Sequence, residues 1–303
     1  MFLKAAFKNA SVFVQMLMIL GVIAFGILLS TFLSSLLIIF KIGMSPELIK
    51  DIQQVLFDNP DLLRETQFLH TLGYLLLPAI ICAWLFSDNY KEYLRIDQPI
   101  YLPAAVWTVI SMLVAIPFLD WTYAINQQMV LPEAFKDLET WMQESETVVK
   151  QATELLLDTK DIPTIVFNFL AVCVVAAICE EFMFRGLLQT FFGRIIPNPH
   201  ILIWTIAILF SAVHLQFYGF ITRMFLGAWL GYLVYYTKTI WIPVLAHFTN
   251  NFFSVVMYYL FHNTSNGTQE VDAIGTGSTW WLSIVSVALF LFCFMQIKKA
   301  VRS

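Results

Sequence analysis

The sequence predicts an all-α fold: a polytopic transmembrane helical bundle with about eight membrane helices. Composition and run length both point there. Of 303 residues, 59% are hydrophobic and 13% are charged, and the mean hydropathy is +0.74. Soluble domains hold about 45–50% apolar and about 25% charged residues. Eight stretches also reach the roughly 20 mostly apolar residues that a spanning helix needs. No internal repeat or low-complexity segment interrupts them.

The first run, 12–40, follows Lys4 and Lys8. It is too long for the core of a secretory signal and no small-residue cleavage site closes it, so it reads as an uncleaved membrane helix. Residues 41–67 read as a short amphipathic helix with a Ser45-Pro46 start and an Asn59-Pro60 stop. Runs 68–87 and 100–119 follow. Segment 120–162 sets nine acidic residues against Lys136, Lys150 and Lys160, which suits a solvated helix at the surface. The remaining runs are 163–193, 200–216, 217–236, 241–261 and 280–297. Only Gln216 to Gly219 marks a turn between the fifth and sixth. Gly227 and Gly231 form a GxxxG in the sixth, a spacing that permits a close helix crossing. The expected organisation is residues 1–162 as N-terminal membrane helices with two polar connections, 163–262 as the helical core holding the polar motifs, and 263–303 as an external loop and a last membrane helix.

A net charge of −4 argues against nucleic acid as a partner. The expected partners are membrane lipid and a peptide or protein at the membrane, and the sequence specifies no oligomer. Cys82, Cys173, Cys179 and Cys293 lie in apolar stretches without a CxxC and read as free buried thiols. Short basic segments at Lys4/Lys8, Lys91/Arg95, Arg194, Lys238 and Lys298/Lys299/Arg302 place both termini in the cytoplasm by the positive-inside rule. The expected location is a bacterial inner membrane.

Glu180, Glu181 and Arg185 interrupt the apolar run 163–193. Three charges at the centre of a membrane helix cost roughly 8–10 kcal/mol before any pairing, so they are expected to face a protein interior or a wet cavity. Glu181 and Arg185 are four apart and share a helix face, acid before base. Glu180 and Arg185 are five apart, about 140° around an ideal helix. Glu181 is therefore the natural ion-pair partner, and Glu180 is left to face something else. A carboxylate in an apolar wall holds its proton more tightly than one in water, which suits a general base near neutral pH. From Glu180 to Ile195, and from His200 to His214, the helical rise gives about 22 and 21 Å. Pro197-Asn198-Pro199 breaks the chain between them, so a hairpin would bring Glu180 level with His214, with Phe210 one turn before it. His247 and Asn251 also share a face and can donate hydrogen bonds to a developing oxyanion. Asn250 competes with Asn251 on spacing alone, and all of these side chains could simply hold helices together.

In this order, EExxxR (Glu180, Glu181, Arg185), FxxxH (Phe210, His214) and HxxxN (His247, Asn251) resemble the CPBP intramembrane protease family. That family includes type 2 CAAX prenyl endopeptidases and proteins of bacteriocin self-immunity. The resemblance covers roughly 163–262. It implies an intramembrane endopeptidase in which Glu180 activates water with help from His214, His247 and Asn251 stabilise the oxyanion, and Glu181, Arg185 and Phe210 support them. No cofactor is favoured. Zinc remains an alternative, with Glu180, His214 and His247 as ligands, although the HExxH helix of zinc proteases is missing. The other readings are a non-catalytic scaffold or immunity factor that keeps the fold, and a transporter. Against transport, the charges cluster in one half and no repeated pair of broken helices is evident.

Overall fold

The computed structural model describes residues 4–44, 50–261 and 274–302, and every regular element among them is helical. We number the main helices α1 (Val12–Ile42), α2 (Ile52–Phe57), α3 (Pro60–Phe86), α4 (Leu102–Gln127), α5 (Lys136–Leu157), α6 (Ile162–Phe192), α7 (Pro199–Ala212), α8 (Phe220–Thr237), α9 (Trp241–Phe261) and α10 (Trp281–Ala300). Six of the described helices, α1, α3, α4, α6, α8 with the turn before it, and α10, are long and apolar enough to cross a bilayer. This is an integral membrane protein. The other two expected spans differ for separate reasons. Helix α7 has 14 residues, about 21 Å against a hydrocarbon core of about 30 Å. Helix α9 has 21 residues, but His247, Asn250 and Asn251 lower its hydropathy.

The chain divides into two compact units, residues 1–96 with 152–190, and residues 97–151 with 191–303. In the first, α1 starts at Ser11, whose hydroxyl accepts from the Val14 N–H, and ends at Gly43 with φ +77°. Its packing against α3 depends on missing side chains. A Cβ on Gly26 would lie 2.1 Å from the Gly73 carbonyl oxygen, and one on Gly73 would lie 2.4 Å from the Ser30 Cβ. Close backbone approach through small residues is how membrane helices gain contact without a hydrophobic drive.

Helix α3 starts at Pro60, well before the expected residue 68, so Asn59-Pro60 opens a long helix besides closing a short one. Proline suits a first helical turn, whose N–H groups have no helical acceptor. The polar turn that hydropathy left out is held by Arg64. This buried residue donates from Nε to the Leu156 carbonyl (3.1 Å), from Nη2 to Leu155 (3.1 Å) and from Nη1 to Asp61 (2.7 Å). The two carbonyls belong to the last turn of α5, where no intrahelical donor remains. Asn168 adds a third bond, to the Leu156 carbonyl at 2.6 Å. The expected Ser45-Pro46 start lies outside the described residues.

Helices α3 and α6 are both interrupted by π turns, at Leu72–Leu76 in α3 and at Phe169–Val175 and Phe182–Leu188 in α6. At their ends the N–H groups of Leu77, Ala176 and Gln189 reach back five residues, to Leu72, Ala171 and Phe184. In α3, Pro78 follows at once and brings no N–H of its own.

In the second unit, α4 packs along α10, and α7 along α8. Helix α4 runs to Gln127 rather than 119 because its polar end has partners. Asn126 accepts from the Ile221 N–H (2.8 Å) and donates to the Phe217 carbonyl (2.9 Å), and Thr122 meets Thr222 at 2.9 Å. Trp229 packs tilted against Phe290 and edge-on against Phe294, in a core with Leu230, Leu233 and Ile242. The acidic helix α5 is largely exposed, as its charge predicts, with Leu157 its one buried residue. All four cysteines are free and buried.

Candidate active site

The seven motif residues fall into two groups, one in each unit. In the first unit, Glu180 and Glu181 end a single α-helical stretch, Ala176–Glu181, set between the two π turns of α6. Arg185 lies within the second π turn. Its Nη1 donates to Glu181 Oε1 at 2.8 Å, and both side chains are fully buried. Phe184 lies beside the guanidinium, 5.9 Å from ring centroid to Cζ. Glu180 differs from its neighbour in being half-buried rather than sealed. π turns inside α-helices occur disproportionately at functional sites, and here they bracket the paired acids.

In the second unit, Asn198 caps α7 by accepting from the N–H groups of His200 and Ile201. The helix stops at Ala212, so His214 lies in the turn beyond it, not on the helix as its spacing suggested. The physical reason is a substitution of donors. Near the helix end the Phe210 carbonyl would ordinarily take the backbone N–H of His214, but that N–H bonds to Ser211 (3.3 Å). The imidazole replaces it, with Nδ1 2.7 Å from the Phe210 oxygen. A carbonyl oxygen can only accept, so Nδ1 carries the proton. The neutral ring therefore keeps its lone pair on Nε2.

Phe210 is buried between two imidazoles. Its ring centroid is 5.0 Å from that of His214 and 6.0 Å from that of His247, at interplanar angles of 64° and 81°. The backing of this ring is Gly227, where a Cβ would lie 3.1 Å from Phe210 Cδ1 and 3.2 Å from Ala207 Cα. That is the close crossing which the GxxxG spacing permits. On α9, His247 is buried, and the Asn250 carboxamide donates from Nδ2 to Asn251 Oδ1 at 3.3 Å.

The register expectation for Glu180 and His214 assumed unbroken α-helix on both sides. Seven residues after Glu181 are π-helical, α6 ends at Phe192 rather than Ile195, and His214 lies past a helix end. Neither arm of that estimate is a simple helical rise.

Sequence reasoning also missed a cavity of about 430 Å³ within the second unit. Its apolar wall includes Met112, Ile116 and Phe253, and its polar lining includes Asp120, Arg223 and Asn250. Arg223 donates to the Gln216 side chain at 3.1 Å and to the Gln216 carbonyl. The signal for Arg223 was available: a guanidinium in an apolar helix is the same anomaly that marks Glu180. Neither unit holds, among its described residues, three His, Cys, Asp or Glu side chains grouped as metal ligands. His214 and His247 would be two of the three that a zinc site needs.

Residues 162–253, which contain all seven motif positions, match the family model described as type II CAAX prenyl endopeptidase Rce1-like. This segment resembles that family. The resemblance drawn from the three motifs therefore holds over 162–253, and supports a CAAX-type intramembrane protease at the family level. An uncharacterized protein of Bacillus subtilis (strain 168), YpbD, is 31% identical over 97 residues, which are 31% of this chain and 44% of that protein. The chain thus matches less than half the length of that relative. No solved structure matches the chain.

Proposed function

We propose that the chain is an intramembrane endopeptidase that hydrolyses a peptide bond of a membrane-associated substrate by glutamate-activated water, with residues 163–262 as its catalytic core. One observation carries the reading: the segment 162–253, which matches the type II CAAX prenyl endopeptidase Rce1-like model, holds all three motifs, with Glu180 half-buried beside the sealed Glu181–Arg185 pair.

In this reading Glu180 takes a proton from water as its oxygen adds to the peptide carbonyl carbon. The carbonyl oxygen becomes an oxyanion, which His247 and Asn251 stabilise by donating hydrogen bonds. Donors held in place in a site that excludes water need no reorganisation when the charge develops. The C–N bond then breaks, and the proton taken from water passes to the departing amine. His214 assists through Nε2, the ring nitrogen that does not face the Phe210 carbonyl. Both termini are proposed to lie in the cytoplasm.

The test compares membrane proteomes of a Glu180→Gln strain and the wild type, then repeats the cleavage with purified protein. The variant should accumulate to normal levels, with at least one membrane peptide bond left uncut. Its turnover should fall by about 10²–10⁴-fold, the range for loss of a general base. Exhaustive chelation should leave wild-type cleavage unchanged. Full activity in Glu180→Gln overturns the assignment of the base, and zinc-restorable loss on chelation overturns the metal-free step.

A further inference from the structure

The sequence leaves Asn250 and Asn251 competing for one role, and the structure gives them different surroundings. Asn250 lines the 430 Å³ cavity together with Thr249, Phe253 and Ser254, whereas His247 and Asn251 are not among its lining residues. His247 turns its ring to Phe210 instead. A hydrogen bond joins the two asparagines, from Asn250 Nδ2 to Asn251 Oδ1 at 3.3 Å.

That bond has a directional consequence. A primary carboxamide has an accepting end and a donating end on opposite sides of one planar group. Because Asn251 Oδ1 accepts the hydrogen bond from Asn250 Nδ2, its NH2 must point away from Asn250. Rotation of the amide by 180° would set two NH2 groups against each other and lose the bond. An oxyanion needs the NH2 end, because Oδ1 would repel it.

We propose that Asn250 is a positioning residue: it fixes the Asn251 carboxamide in the orientation that presents Nδ2 to the developing oxyanion. This rests on the oxyanion role given to Asn251 above. Asn250 itself touches no reacting atom in this scheme.

Three substitutions test this in the full-length protein in lipid nanodiscs, with a fluorogenic peptide spanning the bond that survives in the Glu180→Gln strain. Asn250→Ala removes the donor and should lower kcat by about tenfold, less than the roughly 10²–10³ expected for loss of an oxyanion donor itself. KM should stay within about twofold, since substrate and transition state are bound alike away from the oxyanion. Asn250→Asp keeps the shape and, as a carboxylate, offers only acceptors, so at pH values where it is ionised it should cost at least as much as alanine. Asn250→Ala combined with Asn251→Ala should be no slower than Asn251→Ala alone, because a residue that acts only through Asn251 has nothing left to position. Multiplying effects, or a rise in KM with kcat unchanged, would overturn the proposal.

A second measurement is independent of turnover. The side-chain amide 15N resonance of Asn251, read by solid-state NMR with selectively labelled asparagine, should shift in Asn250→Ala and not in Ser254→Ala. An unchanged Asn251 resonance overturns the positioning role even if the enzyme slows. If that resonance shifts while Asn251→Ala leaves kcat intact, the positioning stands and the oxyanion reading falls.

Discussion

The two units handle their polar motif groups in different ways. In the first, charge is neutralised within one helix: Glu181 and Arg185 meet at 2.8 Å, sealed from solvent, on a stretch whose hydrogen-bond ladder is interrupted on both sides. In the second, the motif side chains are two imidazoles, a phenyl ring and a carboxamide, supported by ordinary helix ends and rings: an imidazole on an orphan carbonyl, another against a phenyl edge, an amide on an amide. The first arrangement is brittle, because removing either partner strands a full charge. The second degrades by one neutral hydrogen bond at a time, each worth about 0.5–1.5 kcal/mol.

Glu181→Gln tests the brittle side and should show the largest loss of stability. Breaking a buried pair costs about 3–5 kcal/mol, so the thermal midpoint in detergent should fall steeply, and Arg185→Met added to it should recover part of the loss. A midpoint unchanged by Glu181→Gln would mean that the pair is not what holds Arg185. Glycine replacement comes next and separates the units by geometry. In Gly26→Ala the new methyl would lie 2.1 Å from a backbone oxygen, which cannot yield, whereas in Gly227→Ala it would lie 3.1 Å from a ring edge. Overpacking of this kind typically costs about 1–3 kcal/mol. Gly26→Ala should reach or exceed the upper end, and Gly227→Ala should sit near the lower end while disturbing Phe210 and thus turnover. Equal midpoints for the two variants would break the distinction.

The smallest effect is expected outside the membrane. Lys8 donates to Asp88 and holds its carboxyl below the usual aspartate range, by that hydrogen bond first and by its charge second. Since the folded-state pKa is depressed, the contribution is present above the ordinary aspartate value of about 3.9. It is lost as pH falls through the folded value. Solvent screens an exposed pair, so Lys8→Ala should leave the neutral-pH midpoint unchanged within error, measured beside Glu181→Gln as its exposed counterpart.

Hydropathy located the helices because the bilayer selects for it directly, and it failed where polar residues stay helical. Arg64 extends α3 backward and Asn126 extends α4 forward, each because a backbone group from elsewhere in its unit meets it. Sequence reveals the polarity of such residues but not the partner that makes the helix continue. The motif residues were legible because charge and imidazole in apolar helices are conspicuous, and the i,i+4 spacing of Glu181 and Arg185 placed their pairing as found. The π turns were not legible. They arise from which carbonyl each N–H selects, and apart from Pro78 no residue type marks them. His214 was misplaced onto α7 for a related reason: a helix that ends by giving its carbonyl to a side chain looks, in sequence, like one that continues.

The bond from the His214 ring to the Phe210 carbonyl has one further consequence. Since Nδ1 keeps its hydrogen in both the neutral and the cationic ring, a proton can arrive at Nε2 and leave again without that bond breaking. No backbone atom need shift and no rotamer need change between the two forms. In the proposed reaction such a ring can take and give a proton repeatedly without rearranging its own support.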